Sequence, residues 1–314
     1  MSDAKRVAVT GAGLMGHGIA QIFAGIGCEV SLYDLDGEVL KSAKSKIEAN
    51  LKFLAENGIG TGEQIAPILE RVRLAPTLAE AVSRVDFVIE AVVEKLEVKR
   101  DLFQEMERFC PPDAVLATNT SVISITEIAS RCRLKERVVG THFWNPPFLI
   151  PLVEVVPGRD TAPETVEKAF ALLAEAGKHP VKVKKDVPGF VANRMQHALW
   201  REAISLVEHG IADAATVDEC VKYSFGMRLP VLGPLENADL VGTDLTLSIH
   251  DYVLRHIESS PGPSPYLQNL VENGDLGFKS GKGFLQWNSE KIAAVREGLM
   301  RRLVAARKGR KQGI

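Results

Sequence analysis

A glycine-rich segment at residues 11–16, Gly-Ala-Gly-Leu-Met-Gly, constrains the fold of this chain more than any other feature. It follows residues 5–10, a short apolar run rich in β-branched residues that is typical of a buried strand. Residues 14–26 then carry apolar side chains at helical spacing, and residues 28–34 predict a second strand. A strand, a glycine turn, a helix and a strand within about 30 residues predict a βαβ unit.

The alternation of buried strands and helices continues to about residue 185. Two long helical patterns lie at residues 38–57 and 163–176. Further apolar runs predict strands at residues 85–92, 114–118, 137–142, 152–156 and 181–183. Parallel strands covered by helices on both faces read as nearly continuous apolar runs, as these do. The predicted fold class is α/β, with a Rossmann-type, doubly wound and mostly parallel sheet.

The pattern changes after residue 185. Residues 186–189, Asp-Val-Pro-Gly, form a break, and helical patterns follow at residues 190–209 and 216–223 with no convincing strand. We therefore predict two domains. Residues 1–185 form the Rossmann domain, and residues 186–314 form an all-helical C-terminal domain.

The context of the glycine segment predicts a dinucleotide site. Gly11 allows a tight turn, Gly13 lets the backbone approach a pyrophosphate, and Gly16 lets the helix pack against the strand. Asp34 follows Gly11 by 23 residues at the end of the second strand, where its carboxylate can accept ribose hydroxyls and repel a 2′-phosphate. NAD is thus favoured over NADP. The alternative to a dinucleotide site is a simple glycine turn beside an exposed Asp34. The predicted cofactor-binding residues of this region are Gly11, Gly13, Leu14, Met15, Gly16 and Asp34.

Composition argues against several classes of partner. The chain has 38 Lys and Arg against 40 Asp and Glu, a net charge of −2, so it has no overall attraction for nucleic acid or anionic membranes. No apolar run reaches the ~20 residues of a membrane helix, and the start lacks the apolar stretch of a secretory signal. The cysteines lack metal-ligand spacing, so we expect reduced thiols, no metal site and a cytoplasmic location. The four cysteines are Cys28, Cys110, Cys132 and Cys220.

Polar residues at the ends of later predicted strands are candidates for chemistry. Oxidation of an alcohol needs a proton acceptor, and His142 is the best candidate because imidazole titrates near neutral pH. Glu154 could fix its tautomer, and Ser121 and Asn145 are available polar partners. From spacing alone, the alternatives stay open: a hydrogen-bonded structural His142, a turn-shaping Asn145 and a surface Glu154.

Several motifs in one order resemble the NAD-dependent 3-hydroxyacyl-CoA dehydrogenases and the related hydroxy-acid dehydrogenases, such as gulonate and carnitine dehydrogenases. The resemblance runs from about residue 7 to residue 287. The motifs are GAGLMGHGIAQ at 11–21, VIEAVVEKLEVK at 88–99, ATNTSVISIT at 117–126, HFWNPP at 142–147, PLVEVV at 151–156, DVPGFVANR at 186–194, GPLENADLVGTD at 233–244 and KSGKGF at 279–284.

The resemblance implies a role for each matching residue. His142 is the implied general base and Glu154 its orienting partner, while Ser121 and Asn193 are the implied contacts to the substrate oxygen. The implied cofactor-lining residues, besides the glycines and Asp34, are Glu94, Lys99, Ser121, Asn145 and Lys279. The resemblance also implies a homodimer formed through the helical domain, a small-molecule substrate bound between the two domains, and a place in fatty acid metabolism.

The segment after the histidine motif departs from the branch that uses CoA. That branch often has Met-Lys before Leu-Val-Glu, whereas this chain has Leu149-Ile150-Pro151. The implied reaction is oxidation of a short-chain 3-hydroxyacyl-CoA, such as 3-hydroxybutyryl-CoA, to the 3-ketoacyl-CoA. A dehydrogenase of a small free hydroxy acid or ring-substituted carboxylate is the first alternative, and a non-catalytic NAD-binding protein is the second.

Overall fold

A computed structural model describes residues 5–310 of the chain, and within them eight strands form one sheet. The strands are short and mostly buried, as expected for a sheet covered on both faces. They are β1 (Arg6–Thr10), β2 (Glu29–Tyr33), β3 (Val72–Leu74), β4 (Phe87–Glu90), β5 (Val115–Thr118), β6 (Val138–Phe143), β7 (Leu152–Pro157) and β8 (His179–Lys182).

The strands lie in the order β3-β2-β1-β4-β5-β6-β7-β8. β6 and β7 pair antiparallel, and the other neighbouring pairs are parallel. The order reverses between β1 and β4, so the crevice outside the carboxyl ends of these strands is the expected ligand position. The predicted Rossmann-type fold class is confirmed. β3 was not predicted, because three residues are too few to show a periodic pattern.

The helices pack on both faces of the sheet or follow it along the chain. In chain order, the α-helices are α1 (Gly16–Gly25), α2 (Gly37–Glu56), α3 (Ile65–Glu70), α4 (Leu78–Val82), α5 (Leu96–Phe109), α6 (Ile125–Ile128), α7 (Pro163–Glu175), α8 (Ala192–Glu208), α9 (Ala214–Lys222), α10 (Pro234–Val241), α11 (Thr243–Val253), α12 (Pro265–Glu272) and α13 (Ser289–Arg310). Single turns of 3₁₀ helix lie at Gly62–Gln64, Ala129–Arg131, Lys135–Arg137 and Phe225–Met227.

The core of the sheet has two apolar layers. Val7 and Val9 of β1 belong to one buried cluster, together with Phe23 of α1, whereas Ala8 belongs to the other. Alternate residues of a strand point to opposite faces, so this division assigns each neighbouring side chain to one face. Phe143 lies in the first cluster, and the adjacent His142 therefore points to the face of the second.

The chain divides into two compact units. The first comprises residues up to Asn193 together with those from Met300 onward, and the second comprises Arg194–Leu299. In the described residues of the second unit, the regular structure is helical apart from isolated β-bridges that join Gly277 to Lys282 and Lys282 to Gln286. The domain division at residue 185 stays a prediction from the sequence, and the return of the chain to the first unit at Met300 was not predicted.

Within the described residues, no helix has the length and apolar character that a membrane crossing needs. The same residues contain no group of three or more His, Cys, Asp or Glu side chains placed to hold a metal ion. The cytoplasmic location stays a prediction.

Candidate active site

The glycine segment forms the tight turn between β1 and α1. Gly11 has a φ of +95°, a conformation that L side chains rarely adopt. A Cβ added at Gly16 would lie 1.6 Å from the carbonyl oxygen of Gly11, so the backbone of the turn closes only without a side chain there. A Cβ at Gly13 would meet nothing within 4 Å, which leaves open space beside the turn.

The N-terminus of α1 fits an anionic ligand. Among the described residues, no side chain caps this end of the helix, and its first turn contains no acidic residue. The free N–H groups and the positive end of the helix dipole are therefore available to a phosphate group. Leu14 and Met15 lie in the turn that leads into this end, and Leu14 is exposed.

Asp34 joins the end of β2 to the glycine turn. Its Oδ2 accepts a hydrogen bond from the backbone N–H of Ala12 at 2.6 Å, and its Oδ1 accepts one from the N–H of Asp36 at 2.9 Å. An ionised carboxylate has about four acceptor sites, so these two bonds fix the group and leave it able to accept from ribose hydroxyls. Leu35, the next residue, is 92% exposed.

His142 and Glu154 form a buried pair on adjacent strands. They lie directly opposite each other in the antiparallel register of β6 and β7. The Nδ1 of His142 and the Oε2 of Glu154 are 2.9 Å apart, and the two residues are 4% and 1% exposed. A carboxylate at this distance fixes the tautomer with the proton on Nδ1, which leaves Nε2 with a free lone pair.

Glu154 is held on its other side by the beginning of α8. Its Oε1 accepts hydrogen bonds from the backbone N–H groups of Val191 at 3.0 Å and Ala192 at 3.1 Å. Burial works to raise the pKa of Glu154, but the hydrogen bonds from His142 and from these two amides together hold that pKa below its usual value. The carboxylate therefore stays charged at neutral pH.

Ser121 and Asn193 meet close to this pair. The Nδ2 of Asn193 donates to the backbone oxygen of Ser121 at 3.0 Å. Asn193 follows Ala192 directly, so a continuous set of contacts runs from Ser121 through the start of α8 to Glu154 and His142. The second N–H of the Asn193 amide and the hydroxyl of Ser121 have remaining capacity for a ligand oxygen.

A buried ionic network lies behind Ser121. The Nζ of Lys99 is 2.6 Å from Oε1 of Glu90 and 3.3 Å from Oε2 of Glu94, and Lys99 is 1% exposed. The hydroxyl of Thr118 also donates to Glu90, at 2.7 Å. Lys99 was predicted to line the cofactor site. The structure places it in the interior, where it supports Glu94, and its contact with the cofactor stays a prediction.

Glu94 orders the segment that carries Ser121. Its Oε1 accepts from the hydroxyl of Thr120 at 2.6 Å and from the backbone N–H groups of Ser121 at 2.8 Å and Val122 at 3.2 Å. Burial raises the pKa of Glu94, but the Thr120 hydrogen bond, the Lys99 charge and the two amides together lower it below its usual value. Glu94 is thus a charged anchor for the loop after β5.

Three residues that the sequence reasoning did not select also shape this site. Trp144 and Phe190 flank the His142 ring, with ring centroids 5.4 and 5.7 Å away. Phe190 has a φ of +47°, which is rare for a bulky residue and puts the chain in a sharp turn before α8. Asn119 accepts a hydrogen bond from the N–H of Phe143 at 2.8 Å and so ties β5 to β6. The HFWNPP motif contains Trp144, whereas no local pattern marks Phe190.

Two further predicted cofactor residues are exposed. Asn145 follows β6 and precedes a cis peptide bond to Pro146. Lys279 lies in the second unit, in a loop beside the small bridge between Gly277 and Lys282. Their contacts with a cofactor stay predictions.

Two family profiles match the chain, one in each of its two parts. The profile of the 3-hydroxyacyl-CoA dehydrogenase NAD binding domain matches residues 6–187. The profile of the 3-hydroxyacyl-CoA dehydrogenase C-terminal domain matches residues 189–287.

Individual relatives match over most of their lengths. A probable 3-hydroxybutyryl-CoA dehydrogenase of Bacillus subtilis (strain 168) is 39% identical over 289 residues, which are 92% of this chain and 99% of that protein. The crystal structure of 5-formyl-3-hydroxy-2-methylpyridine 4-carboxylic acid 5-dehydrogenase, an NAD+-dependent dismutase, is 34% identical with a TM-score of 0.90, over 97% of this chain and 98% of that chain. The crystal structure of (S)-3-hydroxybutyryl-CoA dehydrogenase from Ralstonia eutropha is 31% identical with a TM-score of 0.77, over 91% of this chain and 100% of that chain.

Proposed function

The chain belongs to the 3-hydroxyacyl-CoA dehydrogenase family, and on this premise we propose that it oxidises a short-chain 3-hydroxyacyl-CoA with His142 as the general base. It is an NAD-dependent oxidoreductase that acts on a CH–OH group, so the non-catalytic alternative is set aside. The product is the 3-ketoacyl-CoA, and the proposed physiological substrate is 3-hydroxybutyryl-CoA or a near homologue, within fatty acid metabolism.

The observation that carries this proposal is the buried contact between His142 and Glu154. With its proton held on Nδ1, the imidazole accepts the hydroxyl proton of the substrate at Nε2. The charged Glu154 stabilises the imidazolium that results. A group acting in this way contributes about 10²–10⁴-fold to the rate.

Ser121 and Asn193 are the proposed contacts to the reacting oxygen. They touch each other through the bond from Asn193 Nδ2 to the Ser121 carbonyl, which fixes both relative to the catalytic pair. As the hydroxyl loses its proton, negative charge grows on the oxygen, and donors already in place stabilise it without reorganising. Trp144 and Phe190 enclose the imidazole and limit its access to water.

NAD, when bound, would supply the acceptor for the hydride of the substrate carbon. The glycine turn, the uncapped end of α1 and Asp34 fit this group, and they are the residues we assign to hold it. Asn145, Glu94, Lys99 and Lys279 are further proposed contributors. Under the proposed domain organisation, residues 1–185 bind NAD and residues 186–314 carry substrate-binding and dimerisation functions.

A free hydroxy acid is the second candidate substrate. The dehydrogenase of a free pyridine carboxylate aligns with 97% of this chain at a TM-score of 0.90, against 91% and 0.77 for the hydroxybutyryl-CoA enzyme from Ralstonia eutropha. The segment Leu149-Ile150-Pro151 also departs from the CoA-using pattern.

Parallel assays of NADH formation distinguish the two substrates. The enzyme is given (S)-3-hydroxybutyryl-CoA, 3-hydroxybutyrate, gulonate, carnitine and a hydroxymethyl pyridine carboxylate at equal concentration. The proposal predicts the highest kcat/KM for the thioester. Turnover of a free acid with none of the thioester would replace the first candidate with the second.

We also propose that the enzyme is a homodimer formed through the second unit. Helices α10, α11 and α12 have no buried residues, and Leu235, Leu240 and Tyr252 are 80%, 70% and 74% exposed. Large exposed apolar side chains of this kind mark association surfaces, and a second copy of the chain is the proposed occupant. Light scattering after gel filtration should give twice the 34.2 kDa of one chain, and a monomer at all concentrations would contradict this.

A further inference from the structure

The loop between β6 and β7, residues 145–150, is held by two cations from distant parts of the chain. Lys178 lies just before β8, and its Nζ donates to the carbonyl oxygen of Pro147 at 2.6 Å and to that of Ile150 at 2.5 Å. Arg307, near the end of α13, donates from Nη1 to the carbonyl oxygen of Phe148. Three carbonyls of a six-residue loop are thereby fixed by side chains.

The loop is also anchored by apolar packing against α13. Leu149 is 4% exposed and forms a buried cluster with Leu54 of α2 and Val304 of α13. Met300 and Leu303 pack against the same cluster. Arg307 lies one turn beyond Val304, so the apolar contacts and the hydrogen bond act on the same part of the loop.

The opposite side of the loop contacts the helix that leaves the glycine turn. A Cβ added at Gly18 of α1 would lie 2.7 Å from Cγ of Pro147 and 3.6 Å from Cδ1 of Phe148. Pro147 is buried against this helix. The loop thus connects three elements directly: β6, which carries His142; α1, whose N-terminus is assigned to the cofactor; and the C-terminal half of α13.

This arrangement carries an electrostatic cost. Burial, together with the charge of Arg307, lowers the pKa of Lys178 to about 7. Burial also lowers the pKa of Arg307. Main-chain carbonyls offset the desolvation of a cation less well than a carboxylate does. A neutral Lys178 still has two N–H groups, so it can hold both carbonyls in either protonation state.

The match to the family profile ends at residue 287, and α13 begins at Ser289. The hydrogen bond from Arg307 to the 145–150 loop therefore comes from a segment beyond the two family domains. The hydrogen bonds from Lys178 to the same loop come from within the first domain.

We propose that Lys178 and Arg307 are positioning residues of this dehydrogenase, which hold the 145–150 loop against α1 and so set the geometry of the cofactor site and of the strand end that carries His142. The expected effect of these residues on turnover rests on the proposed function. Their expected effect on cofactor binding rests on the NAD site alone.

The test compares four variants of the full chain: Arg307→Met, Arg307→Lys, Lys178→Met and Arg302→Met. Arg302 is an exposed residue of the same helix and serves as the matched control. Three quantities are measured: the Kd for NADH by fluorescence, the hydrogen exchange of the Leu149 and Ile150 amides, and kcat and KM with 3-hydroxybutyryl-CoA. Both amides donate to the carbonyl of Pro146 at 3.0 Å and so report directly on the loop.

We expect Arg307→Met, which loses one hydrogen bond, and Lys178→Met, which loses two, each to raise the Kd for NADH by about tenfold or more. Both should speed exchange of the two amides, and KM should rise more than kcat falls. Arg307→Lys should restore NADH binding to within about twofold of the unaltered chain. Arg302→Met should leave all three quantities unchanged.

The proposal is overturned if Arg307→Met and Lys178→Met both show the same NADH affinity and the same amide exchange as Arg302→Met. If Arg307→Met does not fold, Lys178→Met decides the proposal alone, because Lys178 reaches the loop from a different element. The NADH measurement needs no substrate. A lack of turnover with the thioester would therefore contradict only the proposed function and not the positioning role of Lys178 and Arg307.

Discussion

The Nδ1 of His142 lies 2.9 Å from the Oε2 of Glu154, and the two residues face each other across the antiparallel pair β6 and β7. In a sheet whose other neighbouring pairs are parallel, this antiparallel pair puts the two side chains on one face at the same level. The backbone amides of Val191 and Ala192 then complete the shell around the carboxylate. The catalytic geometry that we propose thus follows from strand register and from the start of α8.

Replacement of Glu154 should change how stability depends on pH. Its pKa is held below the usual value in the folded chain, so it stabilises the fold above the usual carboxyl pKa, and this contribution is lost as pH falls through the folded value. Urea unfolding of the unaltered chain and of Glu154→Gln should show a difference in unfolding free energy that shrinks below about pH 5. Glu175→Gln, at an exposed ion pair with Lys5, is the control. A difference that stays constant with pH would contradict the assignment.

Replacement of Asp34 should weaken the discrimination between cofactors. Its carboxylate is positioned by the amides of Ala12 and Asp36. Asp34→Asn removes a charged acceptor for the ribose hydroxyls, so NADH should bind about tenfold more weakly. It also removes the charge that repels a 2′-phosphate, so the preference for NADH over NADPH should fall. Titration of both nucleotides by fluorescence measures this, with the exposed Glu38→Gln as control. An unaltered preference would remove Asp34 from the cofactor site.

Loss of Lys99 should destabilise the fold strongly. Its Nζ pairs with Glu90, which is fully buried. Lys99→Met leaves that carboxylate without its cation, which costs about 3–5 kcal/mol of unfolding free energy. The double variant Lys99→Met, Glu90→Gln should recover much of the loss, because the remaining charge is removed. Equal stability of the single variant and the unaltered chain, by urea unfolding, would show that the pair is not buried as described.

The thiols should react with very different rates. Burial raises the pKa of both Cys110 and Cys132 to about 12, and Cys28 is also buried, whereas Cys220 is exposed. Iodoacetamide at about pH 8 should alkylate Cys220 first, and the other three should follow after denaturation. Peptide mapping by mass spectrometry identifies the modified site. Labelling of Cys110 or Cys132 as fast as Cys220 would contradict the packing of the first unit.

Local sequence encodes much of the first unit. β1, the glycine turn, α1 and β2 follow from hydrophobic period and from turn chemistry, and the structure confirms their order and type. The parallel strands of the sheet were also recognisable, because buried strands read as apolar runs. The three-residue β3 gave no such pattern.

Contacts between distant parts of the chain were not predictable in this way. Asn193 was selected through the resemblance alone, because its position in a helix gives no sign of its contact with Ser121. The left-handed backbone of Phe190 also lacks the glycine that normally marks it. Lys178 and Arg307 meet the same loop from far apart in sequence, and nothing in either local segment indicates this.

The most direct test of the account is the turnover of His142→Gln with NAD+ and 3-hydroxybutyryl-CoA, measured beside its affinity for NADH. Glutamine keeps a polar side chain of similar length but cannot accept the hydroxyl proton as imidazole does. We predict a fall in kcat of about 10²–10⁴-fold, the range for loss of a general base, with the Kd for NADH unchanged. A kcat close to that of the unaltered enzyme would show that His142 is not the base.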